Sequence, residues 1–384
     1  MRNKKFTYRS LVLCLIAATA LSACGGGSPQ QPAGVSPVKS VSSDLVKACQ
    51  AEGTLTLVAH PASWANYGEI FELFKATTGA KINSLNQDGS SADEIAAIEA
   101  NKSKKGPEAP DVVDVGYAYG QQGVDGKYYQ AYKVSTWDKI PDTLLGLPAK
   151  DPNGYWTGGY YGVMTLEVNT TIVKNAPQNW EDLLRPEYKG QVALRGDPRG
   201  SNQAAQSVFA AALANGGSLD NVQPGLDFFK KINEAGNFVP VIAKGDTVSK
   251  GSTPIVLAWD YIGFGDRDSF AGKPAIETVY LSPTIASMYV QAISAYAPHP
   301  NCAKVWMEII NSDEGQLARI KGYAHGNRLA DMEARGVIPA ELKAKLPAAW
   351  FTDTSAVSPS PQQLSAARDA IKTGWDTTVG VDVK

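Results

Sequence analysis

Apolar and polar positions alternate along the chain in two periods, one typical of strands and one typical of helices. Residues 54–59 form a short apolar run, which predicts a strand. After Pro61, residues 66–78 carry apolar side chains at helical spacing, which predicts a helix. A strand followed by a helix is the first half of a βαβ unit, and open α/β sheets bind ligands at the carboxyl ends of their strands. Ser63 and Trp64 lie in the connecting loop, so we predict that both contact a ligand.

The same pattern continues through the first half of the chain. Two further strands are predicted, at 80–86 and 110–117. Ser90 and Ser91 precede a helical stretch, where they fit ligand contacts at free N–H groups as well as plain helix caps. Tyr117 and Tyr119 end the other strand. The three strand ends should meet at one rim of a sheet.

A second α/β unit begins after a long predicted strand. Residues 153–169 are rich in Gly and Tyr and then alternate in polarity, which favours a strand that passes from one domain to another. A short strand at 192–194 leads into a loop with Arg195 and Arg199, beside the start of the next helix. Either guanidinium can bind a carboxylate or a phosphonate, and either can simply be solvated.

The most apolar strand of the second half, at 254–259, ends in Trp259, Asp260 and Tyr261. An acidic residue between two aromatic rings at a strand end can hold a cationic ligand by charge and ring faces. The other interpretation is a buried Asp260 paired with a backbone amide. Both stay open at this stage.

The amino terminus carries a targeting signal. Residues 2–9 are basic, 11–21 are apolar, and Leu21-Ser22-Ala23-Cys24 closes the segment. This ending resembles the lipobox of bacterial lipoproteins, which implies lipidation of Cys24 after removal of residues 1–23. An ordinary cleaved signal peptide is the alternative. Residues 24–43 are rich in Gly, Ser, Pro and Gln and predict a flexible tether.

Composition excludes several classes of function. The 384 residues are 43% hydrophobic and carry a formal charge of −2, which becomes more acidic once the basic leader is removed. Nucleic-acid binding is not expected, because it needs a clustered basic face. The three histidines are scattered, which disfavours a zinc site. Cys49 and Cys302 are left in an oxidising compartment, either as a disulfide or as two buried thiols.

Several segments together resemble one protein family. They are 180–190, 255–261, 297–304 with its Pro-His-Pro-Asn, 312–316 with its Glu-Gly-Gln, and 322–328. The chain resembles bacterial extracellular solute-binding proteins that serve ABC importers, in the group that takes up ferric iron, polyamines, thiamine and aminophosphonates. The resemblance covers nearly all of the chain after the leader, and its motifs are specific for the family rather than for a ligand.

The resemblance implies an α/β fold of two lobes, each with a mixed sheet flanked by helices, joined by hinge strands and closing on a ligand. The first lobe would comprise 44–162 and 266–327, the second 163–265 and 328–384, with the return strand near 263–274. Carried over by position, the expected ligand-binding residues are Ser63, Trp64, Ser90, Ser91, Tyr117 and Tyr119 from the first lobe, Arg195, Asp197, Ser201, Trp259 and Asp260 from the second, and Tyr160, Met288 and Tyr289.

The expected function is capture of a small polar solute, a polyamine or an aminophosphonate, because Arg195 and Asp260 fall in the same predicted cleft. The expected partners are an ABC permease in the inner membrane and a lipid anchor, with the chain a monomer in the periplasm or at the cell surface. No cofactor, metal or enzymatic activity is expected.

Three alternatives stay open. Ferric iron is one, although the adjacent tyrosines at 128–129 and 160–161 do not fall where iron ligands are expected. A secreted hydrolase is the second, because His60 lies three residues before Ser63 and a nucleophile needs a nearby base. A surface adhesin or receptor without a transport role is the third.

Overall fold

The computed structural model of the chain describes residues 35–104, 106–347, 350 and 356–384. Its strands are β1 (Thr54–Val58), β2 (Lys81–Leu85), β3 (Val112–Gly116), β4 (Tyr129–Gln130), β5 (Thr143–Leu144), β6 (Leu147–Pro148), β7 (Thr157–Asn169), β8 (Val192–Leu194), β9 (Phe238–Ile242), β10 (Ile255–Trp259), β11 (Ile276–Tyr280), β12 (Ala286–Ser294) and β13 (His325–Gly326). Within this part of the chain, no helix is both long and apolar enough to span a bilayer.

Helices flank the strands. They are α1 (Ser43–Glu52), α2 (Tyr67–Thr78), α3 (Ser91–Asn101), α4 (Ala118–Asp125), α5 (Asn202–Ala214), α6 (Gln223–Glu234), α7 (Gly245–Lys250), α8 (Asp260–Ser269), α9 (Pro300–Ile310), α10 (Asp313–Lys321), α11 (Leu329–Ala334), α12 (Ala340–Lys343) and α13 (Pro361–Thr378). Short 3-10 turns occupy Trp64–Asn66, Trp137–Lys139, Glu181–Leu184 and Pro186–Tyr188.

The long strand β7 belongs to both lobes. Its residues 157–163 pair with β12, and its residues 164–168 pair with β10. The first lobe therefore has the strand order β2-β1-β3-β12-β7, and the second has β7-β10-β8-β9. The two-lobed α/β fold predicted from the sequence is confirmed. Gly162 lies where the partners change, and a Cβ there would stand 2.6 Å from the ring of Tyr261.

The return connection differs from the prediction. Residues 263–274 were expected to form a strand, but Asp260–Ser269 is helix α8, which lies against β7 and β11. The chain instead returns to the first lobe between β11 and β12, which run one after the other along β7. The helix forms because Tyr261, Ile262 and Phe264 are all buried against the sheet. The predicted division at 162/163 falls within β7, and the one at 265/266 falls inside α8.

Local sequence signals place the helix ends. The side chain of Ser42 accepts a hydrogen bond from Leu45 N, and Gly53 follows α1 with φ of 75°, a left-handed conformation that favours glycine. Ser90 and Asp93 form a reciprocal capping box at the start of α3. Plain capping is thus the role that the structure gives Ser90.

The end of the predicted tether is packed on the protein. Val38 and Val41 are buried, and Val38 N donates to Thr77 Oγ1 at 2.9 Å. Burial of the apolar side chains of the two valines is favourable, whereas the surrounding Ser, Pro and Gly residues have less apolar surface to bury. The flexible segment predicted at 24–43 is therefore wrong for these positions. The leader at 1–23, the lipidation at Cys24 and the tether up to 34 lie outside the described residues.

Each lobe has its own aromatic centre. In the first lobe the ring of Trp306 lies 5.8 Å from Tyr67 and 6.2 Å from Phe74, centroid to centroid. In the second lobe Trp375 of α13 packs on Phe229 at 5.7 Å. Fully burying an aromatic side chain stabilises a fold by about 2–3 kcal/mol. These contacts join α2 to α9 in the first lobe and α13 to α6 in the second.

A disulfide joins α1 to α9. The Cα atoms of Cys49 and Cys302 are 4.4 Å apart, and both side chains are fully buried. Glu52, three residues after Cys49, accepts hydrogen bonds from the backbone N–H groups of Asn301 and Cys302. The amino-terminal helix is thus fixed to the first lobe by a covalent bond and by a helix-terminal carboxylate.

Loss of this disulfide is expected to lower the free energy of unfolding by about 3 kcal/mol, because the bond closes a long loop in the unfolded chain. The variant is the double Cys49→Ala, Cys302→Ala chain, measured by urea denaturation. Dithiothreitol should shift the midpoint of the wild type to that of the double variant and leave the variant unchanged. Equal midpoints for wild type and variant without reductant would contradict the prediction.

Candidate functional site

A strained loop presents Trp64 at the junction of the lobes. The loop after β1 holds Ala65 at φ of 44° and Asn66 at 57°, left-handed conformations that are unfavourable for residues with a side chain. Such strain of about 1–3 kcal/mol persists where the surroundings impose it. Here Arg319 Nη1 donates to the carbonyl oxygen of Ala65 at 2.9 Å. The buried arginine of α10 therefore fixes the loop that carries Trp64.

Five rings meet where the lobes join, and we call them the aromatic cluster: Trp64, Tyr160, Trp259, Tyr261 and Tyr289. The ring of Trp64 lies 5.6 Å from that of Tyr261 and 5.7 Å from that of Tyr289. Tyr160 stacks on Tyr289 at 5.3 Å, and Trp259 Nε1 donates to the hydroxyl of Tyr289 at 3.2 Å. Edge and face contacts at these distances are favourable for aromatic pairs.

The cluster draws on both lobes. Trp64, Tyr160 and Tyr289 come from the β1 loop, the first part of β7 and β12 of the first lobe, whereas Trp259 and Tyr261 come from the end of β10 and the start of α8 in the second. Trp64 is half-buried and the other four rings are buried. Sequence reasoning selected four of the five as ligand residues. Tyr261 was named as one of the two rings beside Asp260, but it was not among the expected ligand-binding residues.

A buried polar network supports the cluster from behind. Trp64 Nε1 donates to the hydroxyl of Tyr160 at 2.5 Å, and that hydroxyl donates to Asp114 Oδ2 at 2.7 Å. Gln291 Nε2 donates to Asp114 Oδ1 and lies 3.0 Å from the hydroxyl of Tyr67. Burial raises the pKa of Asp114 to about 6, and the positive charge of Arg319 opposes that shift.

Arg319 is a cation between two rings. Its guanidinium carbon lies 3.9 Å from the ring centre of Tyr67 and 4.5 Å from that of Tyr160. Cation–π contacts of this kind are strongest when desolvated, as they are here. Sequence reasoning missed Asp114, Gln291 and Arg319. The polar position of Asp114 inside an apolar strand was the one local signal.

Asp260 serves the fold. It is fully buried, and its Oδ1 accepts hydrogen bonds from the backbone N–H groups of Val163 and Tyr261, at 3.1 and 2.9 Å. Its Oδ2 lies 3.0 Å from the hydroxyl of Tyr280 and 2.9 Å from Nε2 of His325. The backbone pairing that the sequence left as an alternative is the one the structure contains. All four hydrogen-bond donors to Asp260 are thus groups of the protein itself.

Arg195 is likewise paired inside the protein. Its Nη2 donates to Glu167 Oε2 at 2.5 Å and also to Asp266. Burial raises the pKa of Glu167 to about 7, and Arg195 opposes that shift. The guanidinium is shared between two carboxylates, so the structure does not present it as a free cation. Neither of the two charges from which a charged ligand was predicted is available without breaking these pairs.

Ion pairs hold the loop after β8 against the carboxyl-terminal part of the chain. Asp197 pairs with Arg199, and Arg199 also contacts Asp376 and Asp382. The Oγ of Ser201 accepts from Ala204 N, as a cap for α5. Asp197 and Ser201 therefore order the start of this helix.

The remaining predicted residues have identifiable neighbours. Ser91 Oγ accepts a hydrogen bond from Gly116 N at 3.1 Å, at the end of β3. The hydroxyl of Tyr117 donates to the carbonyl of Pro148 at 2.8 Å. Arg368 of α13 lies over the ring of Tyr119 at 4.5 Å. Met288 packs on β7, and Ser63 is exposed beside Trp64.

The first turn of α5 reaches across to the first lobe. The side chain of Asn202 lies against Gly116, where any Cβ would come within 2.4 Å of it. Gln206 Nε2 donates to Ser287 Oγ of β12 at 3.4 Å. Gln203 is 2% exposed, and neither its amide nitrogen nor its oxygen has a hydrogen-bond partner. This turn and the aromatic cluster together form the candidate site.

The geometry of His60 bears on the hydrolase alternative. His60 is fully buried, its Nδ1 lies 2.6 Å from the carbonyl oxygen of Val58, and its Nε2 has no hydrogen-bond partner. Ser63 is therefore not bonded to this ring. Burial lowers the pKa of His60 to about 4. An imidazole without a hydrogen bond to the hydroxyl does not activate it as a nucleophile.

The geometry of the His, Cys, Asp and Glu side chains bears on metal ligation. Among residues 35–104, 106–347, 350 and 356–384, no three His, Cys, Asp or Glu side chains converge in a group able to hold an ion. Of the adjacent tyrosines, Tyr129 is buried in β4 and Tyr160 is in the aromatic cluster. Tyr161 stacks on His325 at 4.3 Å. The rings of the adjacent residues Tyr160 and Tyr161 therefore contact different neighbours.

An exposed ion pair joins the lobes at the rim of the junction. Lys244, before α7 in the second lobe, lies 2.6 Å from Asp88, which follows β2 in the first. We expect Lys244→Glu to weaken solute binding about 2- to 5-fold, because an exposed pair contributes at most about 1 kcal/mol to the closed form. Adding Asp88→Lys should restore affinity. Lys250→Glu, which breaks an ion pair within α7, should have no effect in the same titration.

Comparison with known proteins gives one family and many similar folds. The family described as "Bacterial extracellular solute-binding protein" matches residues 108–318, more than half of the chain. No curated protein matches the sequence significantly.

Solved structures of binding proteins are similar across the chain. The periplasmic binding protein AfuA from Actinobacillus pleuropneumoniae, with fructose-6-phosphate bound, is 19% identical with a TM-score of 0.62, covering 86% of this chain and 99% of that one. Iron-bound HitA from Pseudomonas aeruginosa is 17% identical with a TM-score of 0.62, covering 85% and 99%. An ABC transporter substrate-binding protein from Bradyrhizobium japonicum is 19% identical with a TM-score of 0.62, covering 85% and 99%. At these identities the similarity shows the fold alone.

Proposed function

The chain belongs to the bacterial extracellular solute-binding protein family, and from this premise we propose that it is the substrate-binding component of an ABC importer. In this role it captures a small polar solute between its lobes and delivers it to a permease in the inner membrane. The observation that carries the proposal is the aromatic cluster, because each lobe supplies part of it. A solute enclosed there would contact both lobes, so its binding would favour the closed form.

The ligand class was predicted as a polyamine or an aminophosphonate. The solved structures with a similar fold include one with fructose-6-phosphate and one with iron, so the fold is compatible with unrelated solutes. The prediction depends on Arg195 and Asp260, and both have partners inside the protein. Polyamines and aminophosphonates are therefore included in the first binding screen, with no preference over the other ligands.

The family and the amino-terminal leader both support a location outside the cytoplasm. We propose an extracytoplasmic protein held at a membrane by a lipid on Cys24, which acts as a monomer. The lipobox-like ending supports the anchor. Mass spectrometry of the chain purified from membranes tests it: a diacylated Cys24 at the new amino terminus is expected, and an unmodified mature chain in the soluble fraction would contradict it.

Isothermal titration tests the capture of a solute. The purified full chain should bind one member of a panel of polyamines, aminophosphonates, thiamine, ferric citrate, sugars and sugar phosphates at a ratio of one to one. Small-angle scattering should show a smaller radius of gyration in the complex, as expected for hinge closure. Saturable binding without any change of shape would contradict closure, and no binding across the panel would contradict the proposed role.

A further inference from the structure

Charged side chains at the lobe junction already have partners. Arg195 is held by two carboxylates, and Asp260 by two backbone N–H groups and two side chains. Arg319 lies between two tyrosine rings, and the charge of Asp114 partly offsets its own. A solute with a net charge would have to compete with these contacts, each of which is desolvated and costly to break.

Glu94 adds a buried carboxyl without a cation. It is 1% exposed, and its Oε2 accepts a hydrogen bond from Asp114 N at 2.8 Å. Burial, together with the neighbouring Asp114, raises the pKa of Glu94 well above its ordinary value. Burial thus favours the neutral form of this carboxyl, and its Oε2 is already taken by a protein donor.

The unpartnered polar atoms near the junction are mostly uncharged. They include the amide nitrogen and oxygen of Gln203, the amide oxygens of Gln206 and Gln291 and the hydroxyl of Tyr261, all on side chains at most 4% exposed. Those on ionisable side chains are Arg319 Nη2, Glu167 Oε1 and His325 Nδ1. A buried polar atom without a partner costs about 1–3 kcal/mol, so a partner supplied by a solute would recover that energy. Amide and hydroxyl groups both donate and accept.

We infer that the solute is an uncharged, hydroxylated molecule of the polyol or sugar class, which binds between the first turn of α5 and the aromatic cluster. This inference rests on the proposed function. Each hydroxyl of such a solute both donates and accepts, which matches Gln203 and Gln206. The faces of Trp64 and Tyr261 suit the C–H surfaces of the same molecule, as in sites that combine aromatic walls with a few polar groups.

Matched pairs of probes test the class. The full chain is titrated with uncharged probes, D-glucose, myo-inositol and other monosaccharides and polyols, and with charged ones, glucose-6-phosphate, spermidine, 2-aminoethylphosphonate and ferric citrate. We expect an uncharged probe to bind, and glucose-6-phosphate to bind at least 10-fold more weakly than its uncharged parent if that parent is the ligand. The dissociation constant of the uncharged ligand should change less than about 2-fold between 0.02 and 0.5 M NaCl, because no charge is screened.

The outcomes separate this inference from the proposed function. Saturable binding by charged probes alone, weakening with salt, would overturn the inference and leave the importer role standing. Absence of binding by both sets would overturn the importer role and the inference with it. Binding of an uncharged probe without salt dependence supports both.

Two glutamines, Gln203 and Gln223, provide a test variant and its matched control. Gln203→Ala should weaken binding of the uncharged ligand about 10-fold or more, because it removes a buried donor and acceptor. Gln223→Ala changes the same residue type in the first turn of α6, where the side chain is exposed and bonded to Asp227, and should have no effect. Gln203→Met keeps the volume of the side chain and should lose affinity equally. Unchanged affinity in both Gln203 variants would overturn the proposed contact.

Discussion

Replacing Asp260 by alanine is expected to lower the free energy of unfolding by about 4 kcal/mol, since it removes the acceptor from a buried network. Four donors would lose this acceptor: the backbone N–H groups of Val163 and Tyr261, the hydroxyl of Tyr280 and Nε2 of His325. His325 pairs with Tyr161 and Val163 with Ala286, both within the first lobe, whereas Asp260 begins a helix of the second. The network therefore holds the lobes together beside β7. Urea denaturation followed by circular dichroism measures the loss.

A matched control separates this role from a ligand contact. Asp227→Ala removes an exposed carboxylate from α6 and should change stability by less than about 0.5 kcal/mol. Asp260→Asn keeps the shape and one acceptor oxygen, so it should cost less than Asp260→Ala. If Asp260→Ala instead retained full stability and lost solute binding, Asp260 would be a ligand residue, as the sequence first suggested.

The strands and helices that frame the site were predictable because their signals are local. The apolar run at 54–59 became β1 (Thr54–Val58), and the short strand predicted at 192–194 has the same bounds in the structure. Periodicity and caps depend on residues a few positions apart, so a sequence displays them directly. The return crossing was missed because the glycines of 263–274 do not distinguish a twisted strand from a helix. The helix is favoured because it buries Tyr261 and Phe264 against the sheet.

The aromatic part of the candidate site was also accessible from the sequence, whereas its polar support was not. Trp259 is the last residue of β10 and Trp64 lies in the loop after β1, so the rule for strand ends finds them. Asp114, Gln291 and Arg319 lie on three elements far apart in the chain and meet through hydrogen bonds and ring contacts. No spacing in the sequence encodes that meeting, because it depends on the pairing of β12 with β3, which places Gln291 opposite Asp114, and on the packing of α10 within the first lobe.

The internal partners of Arg195 and Asp260 could not be predicted for a related reason. An arginine beside a helix start has the same local sequence whether it binds a solute or an internal carboxylate. Arg195 finds Glu167 on the neighbouring β7, 28 positions earlier in the chain. Burial of that carboxylate makes the internal pair the stronger competitor, since an unpaired Glu167 in the core would be costly. Charge in the sequence thus predicts the position of an ion pair better than the charge of a ligand.

Trp64→Ala is expected to weaken solute binding about 100-fold, with a small effect on stability because Trp64 is half-buried. The change removes the ring that faces Tyr261 and Tyr289 and the Nε1 donor to Tyr160. Trp64→Phe keeps a ring and loses the donor, so it should cost about 10-fold. Trp137→Ala removes another half-buried tryptophan, packed on lysines away from the cluster, and should leave affinity within 2-fold. Titration with the solute identified in the screen measures all three, and wild-type affinity in Trp64→Ala would exclude the junction as the binding site.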